Sequence, residues 1–252
     1  MMSGIKNRGN PAIQFQASSG TGGPANSPRI LYQRGVPTVL LSSATNITAT
    51  GAITGLTALP YVPSGVVFVY CFAQTGLLEG LYYARFSSTT ACQLYTDVDG
   101  TITPNGITAG AYVGGTAEVI LASLIIPGGS MGANGMISAQ SSWGCSNSAN
   151  TKSARTRLNG VLFGQQSQTT MASFSMMNGI KNRGNPAIQF QPASGTGAPS
   201  IALGGSPSSS NVNAQTTIDT AVDTTLTFRG KLDVATDFLV LETCTIEILA
   251  GT

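Results

Sequence analysis

Asp237-Phe-Leu-Val-Leu-Glu-Thr-Cys-Thr-Ile-Glu-Ile-Leu249 is the stretch whose reading decides the fold class. Side chains along a strand point alternately to its two faces. Here Phe238, Val240, Cys244, Ile246 and Ile248 fall on one face. The other face opens with Leu239 and Leu241 before turning polar, as in a strand buried on both sides at its start. Outward from this segment, similar runs recur about every ten residues between clusters of Gly, Pro, Ser and Asn. Strands are expected over 37–41, 66–74, 80–87, 91–96, 117–125, 134–143, 153–163, 169–177, 186–191, 224–231 and 237–249. No window long enough for a helix carries an apolar period of 3.6. The expectation is an all-β chain, a two-sheet antiparallel sandwich wound as a jelly roll over 34–252, behind an extended N-terminal arm, 1–33.

Composition points away from most enzyme chemistry. Only 9% of the 252 residues are charged, against roughly 25% in an ordinary soluble domain, while 42% are hydrophobic. The chain therefore has enough apolar side chains for a core and must build its surface from Ser, Thr, Asn, Gln and Gly. It has no histidine, which removes the commonest general base, the commonest metal ligand and every Ser-His or Cys-His nucleophile. The net charge of +2 is too small to imply a polyanion, but its distribution is uneven. Residues 1–34 hold four cations and no anion, and 119–218 hold five cations and no anion. Residues 219–252 hold six carboxylates against Arg229 and Lys231. Basic and acidic segments so separated are expected to meet, within a subunit or across an interface.

Cys71, Cys92, Cys145 and Cys244 show no metal-ligand spacing. Three of them sit in apolar or alternating runs, where a thiol acts as a small buried hydrophobe. The opening MMSGIKNRGNP has no apolar signal core, so free thiols in a reducing cytoplasm are expected. The apolar runs Val66–Ala73 and Val119–Ile126 are far shorter than the ~20 residues a spanning helix needs, and no membrane insertion is expected.

The most specific signal is a repeat. Residues 1–24, MMSGIKNRGNPAIQFQASSGTGGP, return at 176–199 as MMNGIKNRGNPAIQFQPASGTGAP, identical at 20 of 24 positions. A solenoid would show several short periods, and here one segment has been copied once. Each copy reads as a turn followed by a strand, with Ile13 and Phe15, or Ile188 and Phe190, alternating with glutamines. The N-terminal copy is expected to pair with an edge as the internal one does, in its own chain or as an added strand in a neighbour. The assembly residues so identified are Lys6, Arg8, Ile13 and Phe15 in the arm, and Lys181, Arg183, Ile188 and Phe190 in the internal copy.

Other motifs carry weaker chemistry. Gly128-Gly-Ser-Met-Gly132 spells a nucleophile elbow, but without a histidine or a following helix it reads as a strand-to-strand loop. Asp97-Val-Asp-Gly100 begins like a calcium loop yet has Thr108 where a bidentate Glu belongs, so Asp97 and Asp99 read as turn residues before metal ligands. Asp219 and Asp223 flank a second such turn. Lys152, Arg155 and Arg157 lack interleaved aromatics, so no nucleic-acid partner is expected, and an intersubunit pairing with the acidic C-terminal third accounts for them at least as well. No cofactor is implied. Tyr82, Tyr83, Tyr95 and Trp143 are the candidates for contact with a glycan or protein.

Several of these stretches resemble a known family. They are Pro127–Gly135, Ser142-Trp143, Asn147–Lys152, Arg155–Gly160, Ile180–Gly184, Thr217–Asp223 with Leu226, and the closing Leu241-Glu242 and Ile246–Leu249. Leu81-Tyr-Tyr83 and Ser87–Thr90 belong with them. Together they are similar to structural proteins of tailed-bacteriophage virions, of the fibre, spike and head-decoration type, over roughly residues 36–249. That resemblance implies a β-sandwich head, usually a homotrimer, and brings no catalytic residues; the N-terminal duplicate departs from it. It implies a virion protein assembled in the host cytoplasm, contacting other virion proteins through its arm and serving either host attachment or capsid decoration. A polysaccharide depolymerase is the enzymatic alternative, since paired carboxylates can cleave glycosides without histidine.

Overall fold

A computed structural model describes residues 6–7, 14–18, 29–192, 213–216 and 218–251, with side chains described for 32–189 and 218–251. All its regular elements are strands. In chain order the first seven are β1 (Lys6–Asn7), β2 (Gln14–Ser18), β3 (Arg29–Arg34), β4 (Thr38–Leu40), β5 (Ala44–Ile47), β6 (Ala52–Thr54) and β7 (Val67–Cys71). The next six are β8 (Gly80–Ser88), β9 (Ala91–Tyr95), β10 (Gly110–Tyr112), β11 (Val119–Ile126), β12 (Met136–Cys145) and β13 (Lys152–Leu158). The last six are β14 (Val161–Gln168), β15 (Ser173–Asn182), β16 (Gln189–Pro192), β17 (Asn213–Thr216), β18 (Thr224–Leu232) and β19 (Leu239–Leu249). Among the described residues no helix is long and apolar enough to cross a membrane.

Two sheets enclose the main core. The large one runs β10-β5-β6-β9-β8-β7-β4-β19-β12-β15-β16-β17, and the small one β11-β18-β13-β14. All described pairs are antiparallel except β4 with β7. Eight strands form the sandwich proper: β4, β11, β12, β13, β14, β15, β18 and β19, taken as first to eighth. The large sheet then contributes the order first-eighth-third-sixth, and the small sheet second-seventh-fourth-fifth. Their facing sides supply Ile137, Ala139 and Trp143 of β12, Phe174, Met176 and Ile180 of β15, Leu226, Phe228 and Leu232 of β18, and Leu121 and Ile126 of β11, all buried. Residues 41–118 are inserted between the first and second of these strands. They continue the large sheet past β4 and close on a second core of Val39, Ile53, Val69, Cys71, Cys92, Leu94 and Tyr112.

β3 and β4 share one edge of β19: Leu40 stands opposite Leu239, and Arg29 opposite Leu249. Beyond β3 the sheet continues through β2 to β1. The boundary expected at residue 34 therefore falls at the end of a strand already hydrogen-bonded into the sheet.

Three expectations need correction. The segment 153–163 is not one strand but the hairpin β13–β14, turning at Asn159-Gly160 with φ of 45° and 80°. Two consecutive residues at positive φ make the tight turn whose twist suits a hairpin, and Asn-Gly is its preferred pair. In 237–249, Phe238 and Val240 do not share a face with Cys244, Ile246 and Ile248. The register against β12 slips between Ser142 and Trp143, where Ser142 stands opposite Thr243 but Trp143 opposite Leu241. Glu242 is the extra residue of this bulge, which switches the phase of the strand. Leu239 and Leu241 thus join Cys244, Ile246 and Ile248 in the sandwich core, while Phe238 and Val240 enter the second core. The strand is buried on both sides at its start, as expected, but it serves two cores. Last, the strand expected over 169–177 runs from Ser173 to Asn182.

Candidate assembly site

The internal copy of the repeat is a hairpin: Lys181 stands opposite Phe190 and Asn182 opposite Gln189. Its turn is closed by Arg183 N–H to Ile188 O (3.1 Å), Ile188 N–H to Asn185 O (3.1 Å) and Ala187 N–H to the Asn185 side-chain oxygen (2.8 Å). Gly184, at φ 65°, takes the left-handed conformation that glycine adopts without strain. Lys181 and Arg183 are exposed and Ile188 is half-buried. The side chain of Phe190 lies outside the described residues, as do Arg8, Ile13 and the side chains of Lys6 and Phe15.

Among the described side chains, a pair of amides anchors the hairpin. Asn182 and Gln189 are both fully buried. Asn182 Nδ2 donates to Gly132 O and to Thr220 Oγ1, each at 2.7 Å. Gln189 Nε2 donates to Asn182 Oδ1 (3.1 Å) and Pro186 O (2.7 Å), and Gln189 Oε1 accepts from Ile218 N–H (2.8 Å). Thr220 closes the ring, sending its hydroxyl (2.8 Å) and its N–H (3.0 Å) to Pro186 O. Gly184 N–H reaches the Asn134 side-chain oxygen at 3.0 Å. Both amides use their two hydrogens and their oxygen, which is what allows them to be buried without cost. Sequence alternation misses this, since it assigns every polar position of a strand to the solvent side. The available signal was that Asn182 and Gln189 recur unchanged at Asn7 and Gln14.

The seat is the loop Pro127–Gly135 together with 218–223. The loop reading of Gly128–Gly132 is correct: Gly129 N–H donates to Thr220 O (2.8 Å), Gly128 N–H to Asp223 Oδ1 (2.8 Å), and Met131 is buried beneath. Asp219 caps its own turn through Ala221 N–H at 2.8 Å.

The contact candidates divide. Tyr83 and Tyr95 stand opposite one another on β8 and β9, half-buried on one face. Phe68 is the next ring (5.0 Å from Tyr83 between centroids), with the Arg34 guanidinium 4.2 Å above Phe68 and that of Arg85 5.8 Å from Tyr95. A ribbon of three rings between two cations is the result. Tyr82 points to the opposite face, against the second core, with its hydroxyl on Leu78 O at 3.0 Å. Trp143 is withdrawn from any surface: it is 1% exposed, stacked on Phe174 (6.1 Å, 9°), with its indole N–H on Ser141 Oγ at 2.8 Å. A side chain of that size, placed inward by the alternation of β12, fills core.

Asp97 folds onto its own loop, accepting from Ile102 N–H (2.6 Å), Thr101 N–H (3.0 Å) and the Thr101 hydroxyl (2.7 Å). Slight desolvation raises its pKa, but these donors outweigh it and hold the carboxyl below the usual range. Asp99 offers its main-chain oxygen to Arg85 at 2.8 Å. Among the described residues no three acids or thiols gather as a metal site. The four cysteines are buried free thiols.

Within the chain, the arginines of the basic block meet Glu118, outside the acidic third. Arg155 and Arg157 pair with Glu118, which Arg157 Nε approaches to 2.7 Å and Arg229 Nη1 to 3.6 Å, on the outer face of the small sheet. Desolvation raises the Glu118 pKa, and hydrogen bonds from Arg157 and Arg155 more than reverse this. Lys152 turns toward the acidic third. Fully buried, it donates to Ser148 O and Oγ, both at 2.9 Å, and Ser148 in turn donates to Asp237 Oδ2 at 2.9 Å. Comparison with protein-family models, with curated proteins and with solved structures finds no match to this chain.

Proposed function

We propose that this chain is a non-enzymatic structural protein of a tailed-phage virion, a homotrimeric fibre- or spike-type component that serves host attachment and is anchored through its N-terminal arm. The observation that carries the reading is the strand order. Two four-stranded sheets ordered 1-8-3-6 and 2-7-4-5 have the winding of a jelly roll, the double Greek key used by capsid and lectin domains. The residues that resemble virion proteins lie across this unit. The ring ribbon of Phe68, Tyr83 and Tyr95 supports attachment, because sugars and peptides stack on half-exposed aromatic faces.

Capsid decoration is the second reading, favoured by the copied hairpin, since shell proteins are commonly tied together by extended arms. Antibody raised against residues 30–252 and imaged on intact particles separates the two. Label at the tail is the expected result. Label confined to the head shell converts the reading to decoration, and particles without label overturn both. Light scattering on the purified chain is expected to return a trimer, and a stable monomer removes that part of the proposal.

A further inference from the structure

Residues 4–16 and 179–191 are identical throughout, and their backbones pair alike. Lys6 stands opposite Phe15 and Asn7 opposite Gln14, as Lys181 stands opposite Phe190 and Asn182 opposite Gln189. A third strand follows in both, with Gln14 opposite Gln33 and Gln189 opposite Thr216. The match ends there. Four residues beyond Thr216 comes Thr220, which gives the seat its hydroxyl and an N–H. Four residues beyond Gln33 comes Pro37, which has neither.

Everything that the copied segment itself contributes to the seat is therefore present twice: Asn7, Gly9, Asn10, Pro11 and Gln14 repeat Asn182, Gly184, Asn185, Pro186 and Gln189. The groups that receive it, on Gly132, Asn134, Ile218 and Thr220, come from outside the repeat. The differences between the copies point the same way. Asn178, whose Nδ2 reaches Thr156 Oγ1 across the sandwich core at 3.1 Å, is Ser3 in the arm. The arm has kept the hairpin and lost the amide that bridges the two sheets.

We propose that the N-terminal hairpin is a second key for this seat, and that it occupies the seat of another copy of the same chain in place of that copy's residues 181–191. This rests on the reading of the protein as a self-assembling structural component. Because the incoming residues are identical, the hydrogen bonds lost and gained within the seat are the same in kind, which favours segment exchange, and the arm gives up its ladder to β3 of its own chain. Passing the hairpin head to tail around a ring of three fills every seat from a neighbour and displaces residues 181–191 of each subunit.

The test uses full-length chains bearing two different tags, co-expressed in one cell. One carries Lys6→Cys and the other Met136→Cys. Met136 stands opposite Lys181 in the ladder, so an exchanged Lys6 faces it at disulfide distance, and neither side chain belongs to the amide clamp. Mild oxidation is expected to give a mixed-tag disulfide dimer, at least tenfold more than Lys6→Cys gives with Thr243→Cys, an exposed position on the same sheet. Free peptide 1–24 is expected to suppress the product, and the same peptide with Asn7→Ala and Gln14→Ala to need at least tenfold more. No mixed product, or equal potency of the two peptides, overturns the exchange. Particle-bound trimers that never cross-link overturn it while leaving the virion reading intact. Cross-linking by a chain absent from particles does the reverse.

Discussion

The two cores of this molecule share a wall but are built on different terms. In β4 and at the start of β19, alternate residues serve alternate cores: Leu40, Leu239 and Leu241 face the sandwich, while Val39, Leu41, Phe238 and Val240 face the insertion. The insertion core is mostly aliphatic, with two thiols, Phe86 and Phe238, and the Tyr112 hydroxyl, which accepts Phe72 N–H at 2.9 Å. The sandwich core also holds polar bridges. Asn178 on one sheet reaches Thr156 on the other, so closely over Gly164 that a Cβ there would lie 2.1 Å from its oxygen. The strands of the curled sheet are already in register through the ladder, and bonds at its margin, Phe72 N–H to the Tyr112 hydroxyl and Gln74 Nε2 to Val113 O (2.9 Å), join its ends. Two separate sheets have no ladder between them, and directional bonds fix how one lies on the other.

The shared wall is expected to make both cores unfold in one transition, and the largest perturbation tests that. Trp143→Ala removes the largest side chain of the sandwich core and its stack on Phe174, at a cost of about 3–5 kcal/mol. Urea unfolding followed by circular dichroism, and by thiol reactivity of Cys71 and Cys92, is expected to shift by the same amount. If the thiols keep their original midpoint, the cores are separate units. Next comes Asp237→Ala, which strands the buried Lys152 behind Ser148 and is expected to cost about 3 kcal/mol. Adding Lys152→Met is expected to restore most of that, and a double variant no more stable than the single one breaks the account.

The thiols compare the cores at high pH. Burial pushes Cys92, in the insertion, up to about 12, and Cys244, in the sandwich, up to about 11, from an ordinary value of 9.0. A group whose folded pKa is raised contributes stability that is complete below its unfolded pKa and lost as pH rises toward the folded one. Stability is therefore expected to fall from about pH 9, by about 1.4 kcal/mol per pH unit for each thiol once ionisation in the unfolded chain is complete. The loss through Cys244 is expected to end near 11 and that through Cys92 near 12. Urea midpoints for Cys92→Ala and Cys244→Ala should each show a shallower slope, and unchanged slopes would remove the thiols as the cause. Smallest is Glu118→Gln on the outer face of the small sheet, where losing the anion among three guanidiniums is expected to cost under ~1 kcal/mol. Its contribution is present above the ordinary carboxylate pKa of 4.5 and disappears as pH falls. A cost that persists at molar salt contradicts a purely electrostatic role.

The comparison also explains what could be read in advance. The long strands β8, β11, β12, β18 and β19 were legible because apolar or alternating residues run through eight positions or more. The double burial at the start of β19 was visible in Leu239 and Leu241. The phase switch at Glu242 was not, because a bulge obeys the partner strand rather than local sequence. β5, β6 and β10 have three or four residues each, too few for a period, and only the closed insertion reveals them. The Asn159-Gly160 turn carried a usable signal inside the single strand expected over 153–163. At the assembly site, the repeat located the hairpin correctly, and its cations are exposed as a surface would have them. The inward amides were hidden, since what makes Gln189 bury itself stands at Pro186, Ile218 and Asn182, partly far along the chain. Trp143 was misplaced for a related reason: an aromatic among serines looks like a contact, and only the opposite sheet shows it as core.

The position of β19 has a consequence in time. It is the last strand in chain order, yet it lies between β12 on one side and β3 and β4 on the other. During synthesis at about 5–20 residues per second, β4 and β12 leave the ribosome long before the strand that joins them. For several seconds or more, both must carry an unpaired edge, with Val39 and Leu40 on β4 and Ile137, Ala139 and Trp143 on β12. A cell making many copies at once thus holds a population of open sheets, each able to accept the wrong final strand from a neighbour. Host chaperones, or slow translation through residues 233–249, would decide how much of the product closes on itself.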